Sequence, residues 1–188
     1  MKTISRLACS LLLLGSFSCA LTSCEQEPDF SNAGYIAELA TLDCYYHNVA
    51  ETTKPGRFLF DDIELWFEYS AVVPMGIDAS KVSAGAPDEN GVVTVYLPEA
   101  EVLGDPVIDE DSITSPISNE GFFEGELTTE EKTKALDNAQ KKILKKAESD
   151  EVLLHQAHER AKDLLERYVV NVGEALGKHY EVEFEVVK

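Results

Sequence analysis

The stretch IELWFEYSA, residues 63–71, decides the fold of this chain. Apolar side chains occupy every second position, so that Ile63, Leu65, Phe67, Tyr69 and Ala71 alternate with Glu64, Trp66, Glu68 and Ser70. Because successive side chains of a β-strand point to opposite faces, this alternation predicts a long strand with one apolar face and one mixed face. Pro74 and Gly76 then end or bend the strand.

Strand-like segments lie on both sides of this stretch. Residues 39–49, LATLDCYYHNV, place alternate apolar side chains on one side, which favours a strand. Residues 92–98, VVTVYLP, are rich in β-branched residues and follow the turn cluster PDENG at residues 87–91. The three segments together predict an antiparallel meander.

The second half of the chain has a helical pattern. Residues 128–131, TTEE, match a capping box, in which Thr128 accepts from the backbone near Glu131 at the start of a helix. An apolar stripe at three- and four-residue spacing then runs from residue 136 to residue 172. The stripe barely loses phase across Glu148-Ser149-Asp150, so the pattern is compatible with one long helix or with two, the second capped by Ser149 or Asp150.

The chain closes with a further strand pattern, because apolar residues alternate with glutamates over residues 180–186. Residues 104–126 contain prolines and glycines without periodicity and predict an irregular connection. We therefore predict a single α+β domain over residues 38–188. It would consist of an antiparallel β-sheet of about four strands, in the order β-β-β-α-α-β, covered by one long or two C-terminal helices.

The N-terminus is typical of a secretory signal. Residues 1–6 carry two positive charges, and the apolar run that follows is too short to span a bilayer. The sequence LTSC at residues 21–24 resembles the lipobox of bacterial lipoproteins, and this resemblance implies cleavage before Cys24 and attachment of fatty acyl chains such as palmitate to its thiol. We predict a lipoprotein signal peptide over residues 1–23, then a lipidated cysteine and polar tether over residues 24–37. The alternative is an ordinary signal peptide with a chance cysteine near the cleavage site.

Charge and cysteine content restrict the possible partners. Loss of Lys2 and Arg6 from 16 basic residues leaves 14 against 35 acidic residues, a net charge near −21 in the mature chain. Such a surface repels phosphate, so we expect no nucleic-acid partner, and membrane attachment would depend on the lipid.

Signal removal and acylation would leave Cys44 as the one free thiol, which excludes an intramolecular disulfide. Apolar neighbours at Leu42 and Tyr46 favour a buried Cys44.

Several short motifs resemble a bacterial family catalogued as domain of unknown function 4230. They are Gly76-Ile77-Asp78, Leu97-Pro98-Glu99-Ala100, and Ile108-Asp109 followed by Ser112, within a similarity that covers about residues 38–187. Members typically carry an N-terminal membrane anchor, by transmembrane helix or by lipid. The resemblance therefore implies this fold and location, and it implies no catalytic residues.

Few residues suggest chemistry. His155 and His158 are three apart on the predicted helix and are weak candidates for metal ligands, whereas ordinary helix-surface residues would look the same. Asp105, Asp109, Glu110 and Asp111 could supply oxygen ligands for calcium but lack the regular spacing of a calcium loop. We favour turn and cap chemistry, in which Asp78 and Asp109 accept from nearby backbone N–H groups. We identify no nucleophile motif, no P-loop and no cofactor motif. Trp66, Phe122 and Phe123, with Tyr45, are candidate interaction residues if they are exposed.

These observations predict a membrane-anchored, extracytoplasmic lipoprotein of the cell envelope, without catalytic residues or cofactors. Its expected role is to bind another envelope protein or to assemble with itself. The alternative is a lipoprotein that binds a small ligand or a divalent ion through the 104–126 connection.

Overall fold

A long hairpin of two strands forms the centre of the structure. The computed structural model describes residues 28–54, 62–118, 121–122 and 127–187. Strand β1 (Leu42–Lys54) pairs antiparallel with β2 (Ile63–Gly76) along their whole length, from Leu42 opposite Met75 to Lys54 opposite Ile63. The predicted alternation is confirmed, because Leu65, Phe67, Tyr69 and Ala71 are all buried on one face of β2.

Short strands line the other edge of β2. They are β5 (Glu101–Val102), β6 (Val107–Asp109) and β7 (Ile117–Ser118), and β7 also pairs with β8 (Gly121–Phe122). Between these strands, the backbone N–H groups of β2 donate to side chains: Ser70 to Ser112 Oγ at 2.7 Å and Glu68 to Thr114 Oγ1 at 2.9 Å. The connection that was predicted to be irregular is therefore held against the sheet edge by alternating backbone and side-chain bonds.

A second, smaller sheet contains β3 (Ser83–Ala84), β4 (Val92–Pro98) and β9 (Glu181–Val187) in that spatial order. β3 pairs antiparallel with β4, whereas β9 pairs parallel with β4. Parallel neighbours need a long crossover connection, and the two long helices lie between these strands in the chain. The α+β class is confirmed, and the strands are more numerous than predicted and form two sheets.

The long helical region consists of two helices, which resolves the alternative left open by the sequence. α2 (Thr129–Glu148) begins with the predicted capping box: Glu131 N–H donates to Thr128 Oγ1 at 3.3 Å, and Thr128 N–H donates to Glu131 Oε2 at 2.8 Å. α3 (Glu151–Ala175) begins at Asp150, whose Oδ1 accepts from the N–H of Leu153 at 3.2 Å. The chain leaves α3 through Gly177, which has a φ of +68°, a conformation that suits glycine after a helix.

Two hydrophobic cores share α3. In the first, α2 and the start of α3 cover the buried face of the larger sheet, and Tyr69 Oη donates to the carbonyl of Ala139 at 3.3 Å. In the second, the later turns of α3 pack on the smaller sheet through Leu165 and Val169. Ala100 lies in the connection between the two sheets and packs against both cores.

The folded domain starts earlier than predicted. α1 (Ala33–Glu38) packs on α3, with Phe30, Ala33 and Ala37 buried in the second core. Phe30 meets the ring of Tyr168 edge-on at 6.1 Å between centroids. The prediction of a tether over residues 24–37 is therefore wrong for residues 30–37. The sequence did not reveal this helix because six residues contain the three- or four-residue apolar spacing only once or twice, among polar neighbours.

Candidate interaction surface

The larger sheet has one face that no helix within the described residues covers. Since α2 and α3 pack on the inward side chains of β1 and β2, the odd-numbered residues of β1 and the even-numbered residues of β2 point the other way. We call this surface the open face. It comprises the outward residues of β1, β2, β5, β6 and β7.

The strand register arranges apolar side chains in two rows across the open face. Tyr45 lies opposite Val72, which lies opposite Val107, and Tyr45 and Val107 are 80% and 67% exposed. Further along β2, Trp66 lies opposite Ile117, which is 56% exposed. Of the large exposed apolar side chains in the described residues, Tyr45, Val49, Val107 and Ile117 are on this face, and Leu103 adjoins it through its N–H bond to the carbonyl of Pro74. Tyr35, Leu39, Val152 and Val186 are elsewhere.

Polar side chains separate the two rows. His47 Nε2 is 3.6 Å from Glu68 Oε2, and His47 Nδ1 is 3.3 Å from Ser70 Oγ. At the margin, Lys142 of α2 reaches Glu51 with an Nζ–Oε2 distance of 3.3 Å. The open face thus combines apolar rows with a polar band, and such exposed apolar area is typical of protein-binding surfaces.

The predicted interaction residues are distributed unevenly. Trp66 lies on the open face and is half-buried. Phe122 belongs to β8 and its backbone pairs with Ile117, and Phe123 lies outside the described residues. Tyr45, at 80% exposed, is more exposed than Trp66. Sequence reasoning missed Val107 and Ile117, because only the pairing of their short strands with β2 brings them to this face.

The two histidines considered as metal ligands have different environments. His155 is exposed, whereas His158 is 6% exposed. The described residues contain no group of three or more His, Cys, Asp or Glu side chains placed to hold a metal ion. His158 instead lies on α3 between Ala157 of the first core and Ala161 of the second. Its buried Nδ1 has no hydrogen-bond partner among the described residues and lies 3.9 Å from Oε2 of the exposed Glu99. Burial, assisted by the charge of Lys162, lowers the pKa of His158 below its ordinary value of 6.5.

The residues that carry the family resemblance hold the fold together. Asp78 accepts from the backbone N–H and the hydroxyl of Ser80 at 3.1 and 2.6 Å, and it pairs with Lys81 at 3.1 Å. Asp109 accepts from the N–H of Asp111 at 3.1 Å, which confirms turn chemistry for both aspartates. A Cβ at Gly76 would lie 2.9 Å from Cδ1 of Leu103 and 3.3 Å from the Cα of Thr41, so a larger residue there would displace the Leu103 side chain. These contacts give Gly76, Asp78 and Asp109 structural roles.

The remaining predicted site is Cys24, which lies outside the described residues. Cys44 is buried as expected, and burial, with the charges of Asp150 and Asp43, raises the pKa of its thiol. That combination makes a thiol unreactive.

A cleft of about 440 Å³ lies between β2, the segment before β7 and the start of α2. Its walls combine the apolar side chains of Phe67, Ile113, Pro116, Leu127 and Leu136 with the polar residues Thr114 and Ser115. Glu110 and Lys132 are its charged side chains. A molecule in this cleft would meet apolar surface together with one acidic and one basic side chain.

None of the helices within the described residues is both long and apolar enough to cross a membrane. The family described as a protein of unknown function, DUF4230, matches residues 35–183, so the chain belongs to this family. No curated protein and no solved structure matches the chain.

Proposed function

We propose that this member of the DUF4230 family is a lipoprotein of the cell envelope, anchored through Cys24 on the extracytoplasmic side. In this role it acts without catalysis, and its open face binds another envelope protein. The observation that carries the binding role is the exposure of Tyr45, Val107 and Ile117 on one sheet face that the described helices leave open. Exposed apolar area of this kind is costly to keep in water unless a partner covers it.

The proposed anchor keeps the folded domain close to a membrane. Phe30 is already buried in the second core, so only six residue steps separate the proposed lipid on Cys24 from the folded domain. An extended chain spans at most about 3.5 Å per residue, which limits this tether to roughly 20 Å. Two or three acyl chains on one residue would be enough for stable attachment. The partner would therefore be a protein in or near the same membrane.

Three of the acidic side chains have roles in the fold. Asp78, Asp109 and Asp150 accept backbone hydrogen bonds that begin turns or a helix. Their carboxylates are therefore engaged in the fold.

The proposal is tested by fractionation and crosslinking of intact cells that express the full chain. Wild-type protein is expected in the membrane fraction with the intact mass of an acylated N-terminal cysteine, and Cys24→Ala is expected to lose both properties. A crosslinked protein partner is expected with wild type. It should be lost from the open-face variant Tyr45→Ser/Ile117→Ser and retained by the matched variant Tyr35→Ser/Val152→Ser, whose sites are exposed elsewhere.

A free thiol at the mature N-terminus would refute the anchor. Equal crosslinking in the two double variants would refute the open face as the binding surface.

A further inference from the structure

The charges on the open face have almost a single sign. Among the described strand residues that point outward from the larger sheet, His47 carries the only basic side chain. The acidic residues on the same face are Asp43, Glu51, Glu64, Glu68, Glu101 and Asp109. His47 is close to Glu68, and Lys142 compensates Glu51 from the edge.

From this asymmetry we propose that the occupant of the open face is a basic protein segment, in which lysine or arginine side chains alternate with apolar ones. This inference rests on the function proposed above and specifies the chemistry of the partner. The cations of such a segment would face Asp43, Glu64 and Glu68, and its apolar side chains would cover the rows of Tyr45 and Ile117. The ring of Tyr45 offers an additional site for a cation, because ammonium and guanidinium groups bind aromatic faces.

Charge complementarity favours this occupant over a second copy of the chain. Two open faces that met in a symmetric dimer would bring the same acidic residues together, and like charges across an interface oppose association. Anionic lipid head groups are disfavoured for the same reason.

The experiment measures binding of a capped eight-residue peptide that alternates lysine and valine, with a glutamate–valine peptide as control. The protein is the full lipid-anchored chain in non-ionic detergent. Two variants change the net charge equally. One neutralises the open face (Asp43→Asn, Glu64→Gln, Glu68→Gln), and the other neutralises the acidic row of β9 (Glu181→Gln, Glu183→Gln, Glu185→Gln), which is exposed on the smaller sheet.

We expect the open-face triple variant to bind the lysine peptide about tenfold more weakly than wild type, and the β9 triple variant to stay within about twofold. Tyr45→Ala should also weaken binding, whereas Tyr35→Ala should not. Wild-type affinity should fall with added salt, since exposed charge pairs are screened. The urea midpoint of each variant serves as the folding control.

Equal weakening by the two triple variants would overturn the proposal, because it would show attraction to net charge alone. Binding that is absent, or insensitive to salt, would overturn it as well. A wild-type dimer that is disrupted by Tyr45→Ala in light scattering would replace the basic segment with a second copy. A cellular partner that crosslinks through the open face, while the peptide shows no preference for that face, would refute only the basic chemistry and leave the proposed function intact.

Discussion

Asp150 fixes the joint between the two long helices, and its replacement should weaken the fold in a graded way. One carboxylate oxygen caps α3 by accepting from the N–H of Leu153 at 3.2 Å. The other oxygen accepts from Tyr46 Oη of β1 at 3.3 Å. Lys146 of α2 lies over the same tyrosine ring, 5.5 Å from its centroid. The side chain thus ties the start of α3 to the larger sheet at the point where α2 ends.

The two contacts set the expected cost. Loss of an aspartate cap typically costs about 1 kcal/mol, and loss of a part-buried hydrogen bond costs about 1 kcal/mol. Asp150→Ala should therefore lower the free energy of unfolding by about 2 kcal/mol. Asp150→Asn keeps one oxygen for the cap, and its Nδ2 can donate to Tyr46 Oη instead of accepting from it. It should therefore cost less than about 1 kcal/mol, mainly through the lost charge at the helix N-terminus.

Urea unfolding followed by circular dichroism measures both values, in a chain that starts at residue 24 and carries Cys24→Ala. Asp163→Ala on the exposed surface of α3 is the matched control and should lie within about 0.5 kcal/mol of the parent. The reasoning is refuted if Asp150→Ala costs no more than this control, or if alanine and asparagine cost the same.

Three further predictions concern single side chains. Burial lowers the pKa of His158 in the folded state, so the unfolded chain binds more protons near pH 6 and the free energy of unfolding should fall as pH drops through about 6.5. In urea titrations at pH 7 and pH 5, His158→Gln should reduce this loss of stability, and His155→Gln should retain it. Gly173→Ala should lower stability by about 1–3 kcal/mol, because a Cβ would lie 2.8 Å from Cδ2 of Tyr180, and a thermal melt that matches wild type would contradict this steric conflict. Cys44 should react with a thiol reagent at least about tenfold more slowly in native protein than in urea, and equal rates would show that the site is open.

Local patterns were sufficient to predict the long elements. The alternation in β2 extends over its whole length, and the Thr128 capping box marks the start of α2 to the residue. Both features depend on neighbours in the chain, so one sequence contains the information. The local sequence also limited the cap of a second helix to Ser149 or Asp150, and the structure shows that Asp150 is the cap of α3.

Features that depend on distant pairing could not be predicted. A strand of two or three residues, such as β5, β6 or β7, has no measurable period and exists because β2 presents an edge. The parallel pairing of β9 with β4 depends on the path of α2 and α3 between them. The open face was hard to predict for the same reason. The alternation along β2 predicts that Trp66 points away from the core, but only the pairing of β7 with β2 shows that Ile117 lies beside it.

The most direct test of the proposed role places a photo-crosslinking amino acid at single positions of the lipid-anchored protein in growing cells. Positions 45, 107 and 117 report on the open face, and positions 35, 39 and 152 report on exposed apolar sites elsewhere. We predict that the open-face positions crosslink to one common protein and that the other positions do not. Crosslinks to that protein from positions 35, 39 or 152, with none from the open face, would contradict the account.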